Sequence, residues 1–551
     1  MTRPQNHTVI RRAVGLLAVP ALALGTVVAL PTTPAYAATD PAPGAAGAAW
    51  LAGQFTDGLL PSPFGGNDYG LTIDAATSLV RVGQQPATVA AARDAIASNL
   101  EAYAGDYTYT SPDPFPSGPD ATFAGHSSNG AAKAAVFATT VGADPTSFGG
   151  VDLVARIESF VADSGPYLGR LSDEPTKNGA PDPANDYANV LGQSFAVNAL
   201  DVAGSTETEE ATNVLLAQQC AAGYFTLYFA PLGQGCDDGV ASPSVDATAI
   251  ALTALAGQAD DTDIQGAIAN AVEWLKNHQA ANGSFTDGTA GGTANANSTG
   301  LAGYALGISS APNAAADAAA WVRAHQLANV ANCVYYSAVD TGAIAFDDAA
   351  RAGARTGPVS DSLDQFRRAT AQALPALSFT TAAANPQPVF TAEYVKAGGK
   401  KPVGVVQAAP GEALCAMLGE QSVLGYADVD GEARLPVLIP TKTATSKVRV
   451  ANAGGVIGTV SIRALGAKKL PFTLKAPVPA GARQVVRITG LAPAENVTVT
   501  YKGERVAARQ AGANGVVTVR FPVGNKVGKA TVKVVGQFAT RTNSKTFTVT
   551  R

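Results

Sequence analysis

The chain has 551 residues, 46% of them hydrophobic and only 15% charged, which excludes a disordered polymer and allows two or more domains with sizeable cores. Its formal net charge of −5 hides a division: residues 386–551 hold 23 Lys and Arg against 8 Asp and Glu, whereas residues 38–385 hold 12 against 35. An acidic body excludes nucleic acid as its partner, and a basic tail implies a different partner for that part.

At the start, Arg3, Arg11 and Arg12 precede the apolar run AVGLLAVPALALGTVVAL, and the small-residue site AYA stands after it at 35–37. This is the pattern of a cleaved export signal over residues 1–37, and the paired arginines match the twin-arginine form. No second apolar stretch is long enough to span a bilayer, so a mature chain without a membrane span is expected, secreted or held at the cell envelope. Cys220, Cys236, Cys333 and Cys415 suit an oxidising compartment, where an even count reads as disulfides. Cys220 and Cys236 flank one loop and are the expected first pair. Cys333 with Cys415 then remains, and would tie the helical part to the C-terminal part.

From residue 40 to 378 two kinds of helical segment alternate. One is amphipathic, with apolar residues at spacings of three and four, as in AGAAWLAGQF, ATVAAARDAIASNLEAYA, VDLVARIESFVA, TEEATNVLLAQQC, IQGAIANAVEWLKNHQ and AAADAAAWVRAHQ. The other is apolar nearly all round, as in GLTIDAATSLVRVG, NGAAKAAVFATTVG, GQSFAVNALDVAG, SVDATAIALTALAG, STGLAGYALGI and SLDQFRRATAQALPAL. Helices of the second kind must be enclosed by neighbours. Gly83, Gly142, Gly204 and Gly257 stand just past apolar helices as stop signals. Six enclosed helices alternating with six amphipathic ones predict an all-α (α/α)6 toroid around a central cavity. Its site is expected where the loops entering the inner helices gather.

The amphipathic helices share an ending. Gln219, Gly223 and Phe225 repeat as Gln279, Gly283 and Phe285; Gln54 and Gly58 keep the spacing with Leu60 in the aromatic place, and AHQLANV keeps only Gln326. This ending resembles the QW-type repeat of the prenyltransferase and squalene or terpene cyclase superfamily, across some 330 residues of this chain. The resemblance implies the same toroid, with the glutamine bonding backbone at a helix end. It does not imply the chemistry. Where class II cyclases carry DxDD, this chain reads Ser244, Val245, Asp246, Ala247, so the central acid stands without its flanking carboxylates. The residues themselves suggest Ser242 as a helix cap, Pro243 at the first helical position and Asp246 as a first-turn acid favoured by the helix dipole.

Of the four histidines, one lies in the signal and His278 and His325 each precede a repeat glutamine, leaving His126 alone, which makes no zinc site. No cofactor is expected. Asp68, Asp74, Asp186, Asp246 and Asp361 lie in or near the inner-helix mouths, and the expected ligand-binding set is Asp68, Asp74, His126, Asn129, Tyr187, Gln193, Asp246 and Asn297. Were the chain an enzyme, Asp246, Asp74 and His126 would be its catalytic candidates. A glycan hydrolase needs two carboxylates across a sugar subsite, and His126 with Tyr187 would suit a lyase.

After TAAANPQP the pattern changes to alternation. Two copies succeed one another, offset so that Asp430-Gly431 falls on Asn514-Gly515 and SKVRVA on ATVKVV, each Asp/Asn-Gly pair reading as a tight hairpin. They predict two all-β Ig-like sandwich modules, over 386–474 and 475–551, similar to the surface modules of secreted bacterial proteins. The expectation is therefore an exported protein whose toroid binds an unknown small molecule or glycan without the cyclase chemistry, with a basic tail toward an anionic cell-wall polymer. The alternatives are a cell-wall hydrolase or lyase, and a cobalamin-type carrier, which also joins an (α/α)6 barrel to a smaller β domain.

Overall fold

The computed structural model describes residues 38–551, apart from 232–233, 239–241, 259–260 and 358. The signal expected over residues 1–37 lies outside them. The helical half runs α1 (Ala42–Ala52), α2 (Tyr69–Arg81), α3 (Pro86–Ser98), α4 (Leu100–Ala104), α5 (Ser128–Thr140), α6 (Leu153–Phe160), α7 (Val190–Ala203), α8 (Thr208–Ala217), α9 (Val245–Leu255), α10 (Thr262–His278), α11 (Ala296–Ile308), α12 (Pro312–His325), α13 (Asp348–Gly353) and α14 (Leu363–Ala373). Helices α2, α5, α7, α9, α11 and α14 pack each against the next, and α14 packs back on α2. Around that closed ring α3, α6, α8, α10 and α12 lie on α2, α5, α7, α9 and α11 in turn, while α1 lies on α14. This is the six-in-six toroid expected from the alternation. Small side chains permit it: Ala131, Ala132, Ala134, Ala135 and Ala138 of α5 are all fully buried, so one helix meets neighbours on most of its circumference.

Local signals place the helix ends. Asp68, Asn189, Ser244 and Asn295 cap α2, α7, α9 and α11 by accepting first-turn amides. Gly83, Gly142 and Gly204 adopt φ of +65°, +73° and +68° after the inner helices that precede them. Gly257 does not, because a 3-10 turn over Ala256–Gln258 extends α9 instead.

The glutamines stitch the outer ring. Gln219 Nε2 donates to the carbonyls of Gly223 (3.0 Å) and Ala267 of the next outer helix (2.8 Å), and Gln279 does the same to Gly283 and Ala314. Gln326 donates to Gly342 (3.1 Å) and to Pro43 (2.9 Å), so the last outer helix is fastened to the first. The glycine of each ending is required twice over. At Gly283 φ is +85°, and a Cβ there would stand 2.0 Å from the carbonyl oxygen of Asp317 on the next outer helix. A second repeat was not expected. The amides of Leu60, Phe225, Phe285 and Ile344 donate to Thr72, Thr248, Thr299 and Thr370 of the inner helices, each at 2.9 Å. Gln193 takes the threonine's place toward Leu171.

The β half forms two sandwiches, each a three-stranded sheet facing a five-stranded one over a shared core of valine, leucine and isoleucine. Asp430-Gly431 and Asn514-Gly515 do not make hairpins. The strands flanking the first, Gln421–Tyr426 and Ala433–Leu438, pair with Ala413–Leu418 and Lys400–Val406 in different sheets, so the turn is a corner between layers, and the second copy repeats this. The division at 474/475 also shifts, since Phe472–Leu474 pairs with Arg483–Ile488 of the second sandwich. Both expected disulfides form, Cys220 with Cys236 and Cys333 with Cys415, and the second joins the toroid to the first sandwich.

Candidate functional site

The inner ring encloses a cavity of about 420 Å³ to which all six inner helices contribute. Its wall is mixed: Ile73, Phe137, Leu191, Phe195, Ile250 and Leu301 make it apolar in part, and Thr77, Thr140, Asn198, Thr253 and Gln372 set polar groups between them. Charge enters on two helices only. Asp74 of α2 and Lys133 of α5 form an ion pair at 2.6 Å, and Lys133 also donates to the carbonyl of Gly70. Burial works against the Lys133 ammonium, but Asp74 and Tyr103 outweigh it and hold the amine above its ordinary range. Arg81, the last residue of α2, lines the same cavity, and burial lowers its guanidinium below the usual value. Lys133 and Arg81 were not among the expected residues. The signal for them was present: each is the one cation of a helix that its neighbours enclose.

The expected residues do not form one constellation. Asp74 lies in the cavity. Asp68 is the cap of α2 and pairs with Arg368 of α14 at 2.5 Å. His126 ends a strand of a small four-stranded sheet, β1 (Asp106–Pro112), β2 (Asp120–His126), β3 (Thr176–Lys177) and β4 (Ala180–Pro181), which was not foreseen in the loops entering α5 and α7. Its Nδ1 is 2.6 Å from Asp106 and its ring stacks on Phe160. Nearby, Asn129 donates to the carbonyl of Tyr187, whose own ring is 60% exposed. Gln193 is fully buried, and its amide is committed to the backbone of Leu171, Gly169 and Ala211. Asn297, on the first turn of α11, has a buried Oδ1 without a partner among the described residues. Asp186 is held by Arg170 and by the amides of Asp173 and Ala188, and Asp361 is exposed. Among the described residues no three His, Cys, Asp or Glu side chains gather as a metal site would need, and no helix is long and apolar enough to cross a membrane.

Asp246 occupies a separate hollow of about 500 Å³ at the mouth, with Tyr228, Phe229, Ser244, Asp287 and Thr289. The cap of α9 is Ser244 rather than Ser242, and Pro243 lies outside the helix, which places Asp246 on the first turn but turned inward. Burial pushes its carboxyl above the ordinary range, against a hydrogen bond from Ser298 and with help from Asp287. One of its oxygens is buried with no partner among the described residues. A raised carboxyl contributes stability that is full below the ordinary carboxyl value and is lost as the pH climbs to the raised one. Asp246→Asn should therefore gain on the parent as pH rises through that window and be at least as stable at neutral pH, measured as the difference in thermal midpoints across a pH series. A dipole-favoured acid would show the reverse.

Neither a family model nor a curated protein matches the sequence. Among solved structures the chain is similar to ent-copalyl diphosphate synthase from Streptomyces platensis, with 17% identity and a TM-score of 0.34 over 56% of this chain and 50% of that one. It thus spans about half the length of that protein. It is also similar to a protein from Actinoplanes (16% identity, TM-score 0.39, 62% of this chain and 99% of that one) and to a glycosidase (12%, 0.37, 62% and 97%).

Proposed function

We propose that the chain is an exported binding protein whose toroid holds one small molecule in the central cavity without transforming it. The observation that carries this reading is the separation of the two hollows. The central cavity has the size of an ordinary small-molecule site, whereas Asp246, at the place of the cyclase acid, lines the mouth hollow instead. Inside the cavity the one carboxylate, Asp74, is paired with Lys133 at 2.6 Å. In the same reading the tail meets an anionic wall polymer through Lys447, Arg449, Lys529 and Lys533, which are exposed on strands whose alternate residues are buried.

The test is mass spectrometry of the molecules that the native protein releases on denaturation. Ala254 is nearly buried on α9 and faces the cavity, so Ala254→Trp thrusts an indole into it and obstructs it. A compound released in near-stoichiometric amount by the parent and missing from Ala254→Trp is the expected result. Equal release from both, or turnover of a glycan that survives the obstruction of the cavity, would overturn it.

A further inference from the structure

We infer that the central cavity selects a monoanionic amphiphile, its single carboxylate- or phosphate-type head group seated on Arg81 and its apolar body against the inner helices. This rests on the reading of the cavity as the binding site and names the chemistry it would take.

Arg81 lies seven residues beyond Asp74, which keeps it on the same face of α2 and about 10 Å further along the axis. Its guanidinium carbon lies 4.4 Å over the ring of Tyr304, a contact that uses the face of the cation and none of its N–H groups. Among the described residues no acceptor takes a hydrogen bond from Arg81, although a guanidinium carries five donors. Asn198 of α7 and Gln372 of α14 line the same cavity from the later parts of their helices, and their amides likewise bond to no described residue. Three planar donors are thus left open toward one space.

Charge decides which ligand fills it. Asp74 and Lys133 neutralise each other, so Arg81 is the net charge of the cavity, in a domain whose surface is strongly acidic. The positive charge is therefore local to the wall. A cation drawn partly out of water is costly unless an anion meets it, and a guanidinium fork matches an oxyanion with two parallel hydrogen bonds. One uncompensated charge answers one negative charge. A di- or polyphosphate would carry excess charge into a wall that offers no further free cation among its lining residues. The rest of the lining, with Phe137, Leu191, Phe195, Ile250 and Pro375, suits a ring system or short alkyl body.

The test uses two fluorescent probes on the purified chain: anilinonaphthalene sulfonate, and phenylnaphthylamine, which has the same aromatic body without the charge. The unaltered protein should bind one sulfonate per chain, at least about tenfold more tightly than the neutral probe, the range of a charged hydrogen bond. Arg81→Gln should remove that preference and leave the neutral probe within about threefold, while Arg81→Lys keeps only part of it, the charge without the fork. Ala254→Trp should abolish saturable binding of both. Equal affinity for the two probes in the unaltered protein, with both lost in Ala254→Trp, would overturn the charge selection and leave the cavity as a binding site. No saturable binding of either probe, or binding indifferent to Ala254→Trp, would overturn both. The probe comparison needs no variant, so a poorly folding Arg81→Gln does not shield the inference.

Discussion

Arg541→Ala is expected to destabilise the second sandwich by about 3–5 kcal/mol, the cost of leaving a buried charge without its partner. Arg541 is 2% exposed and Glu495 not at all, and the two meet through paired bonds of 2.6 and 2.7 Å. The guanidinium also donates to the carbonyls of Gly466 and Gly490, while Glu495 accepts the amide of Ala492. Truncating the arginine therefore strands a carboxylate and the carbonyl of Gly466 in the interior, while Gly490 keeps the Lys468 ammonium at 2.9 Å. The double change Arg541→Met with Glu495→Leu should recover most of the loss, since a well-packed apolar pair avoids desolvating two ions. Denaturant unfolding and calorimetry of the same variants decide this. A loss below about 1 kcal/mol for Arg541→Ala, in the range of an exposed pair, would show that the bridge contributes little.

Removing the Cys333–Cys415 bridge is the second large effect, expected at about 4–5 kcal/mol because the closed loop is long. The cysteines are 82 residues apart and belong to the toroid and the first sandwich respectively. Around them the seam is polar and aromatic: Tyr336 and Tyr426 share a hydroxyl contact of 3.1 Å, Tyr335 donates to the carbonyl of Ser422, and Arg351 lies over the ring of Tyr426. These contacts remain in Cys333→Ser with Cys415→Ser, so the variant should keep its docked sandwich but melt lower, and reductant should lower its melting only by the share of Cys220–Cys236. Breaking Cys220–Cys236, with a separation of 16, should cost less, about 3 kcal/mol. A larger loss from the shorter loop would contradict the loop-length argument.

The toroid was legible because its signals are redundant. Alanine-rich helices that are apolar on every side have no stable place except inside a ring, and the Gln and Gly endings recur at helix-end spacing. The sandwiches were legible from alternation, but their strand pairing was not: Asp430-Gly431 specifies a reversal of the chain without saying which strands then bond. The small sheet of β1 to β4 escapes the pattern because β3 and β4 are two residues each and β1 and β2 bury only Ala121, with little apolar alternation to betray them. For the site, attention to mouths and carboxylates leads to Asp246 and Asp74. Arg81 and Lys133 need a different question, namely why a helix enclosed on all sides carries a charge at all. Gln193 reads as a ligand contact because a polar residue in an apolar helix looks functional. Here it fills a structural position that threonine holds in four other repeats.

The fastening of Gln326 to Pro43 also bears on how the chain reaches this form. These residues are 283 apart, and the bridge of Thr39 with Thr381, with Ala382 donating to Ala38, brings the two ends of the helical half together. The first outer helix finds its inner partner, α14, only when the whole circle is present, so the topology has a high contact order and a late, non-local closing step. Before that step there is a wall with a gap and no enclosed volume. Occupancy of the cavity is then a property of the closed form alone, and any molecule that fits it acts as a latch, stabilising the shut circle by mass action in proportion to the logarithm of its concentration over its dissociation constant.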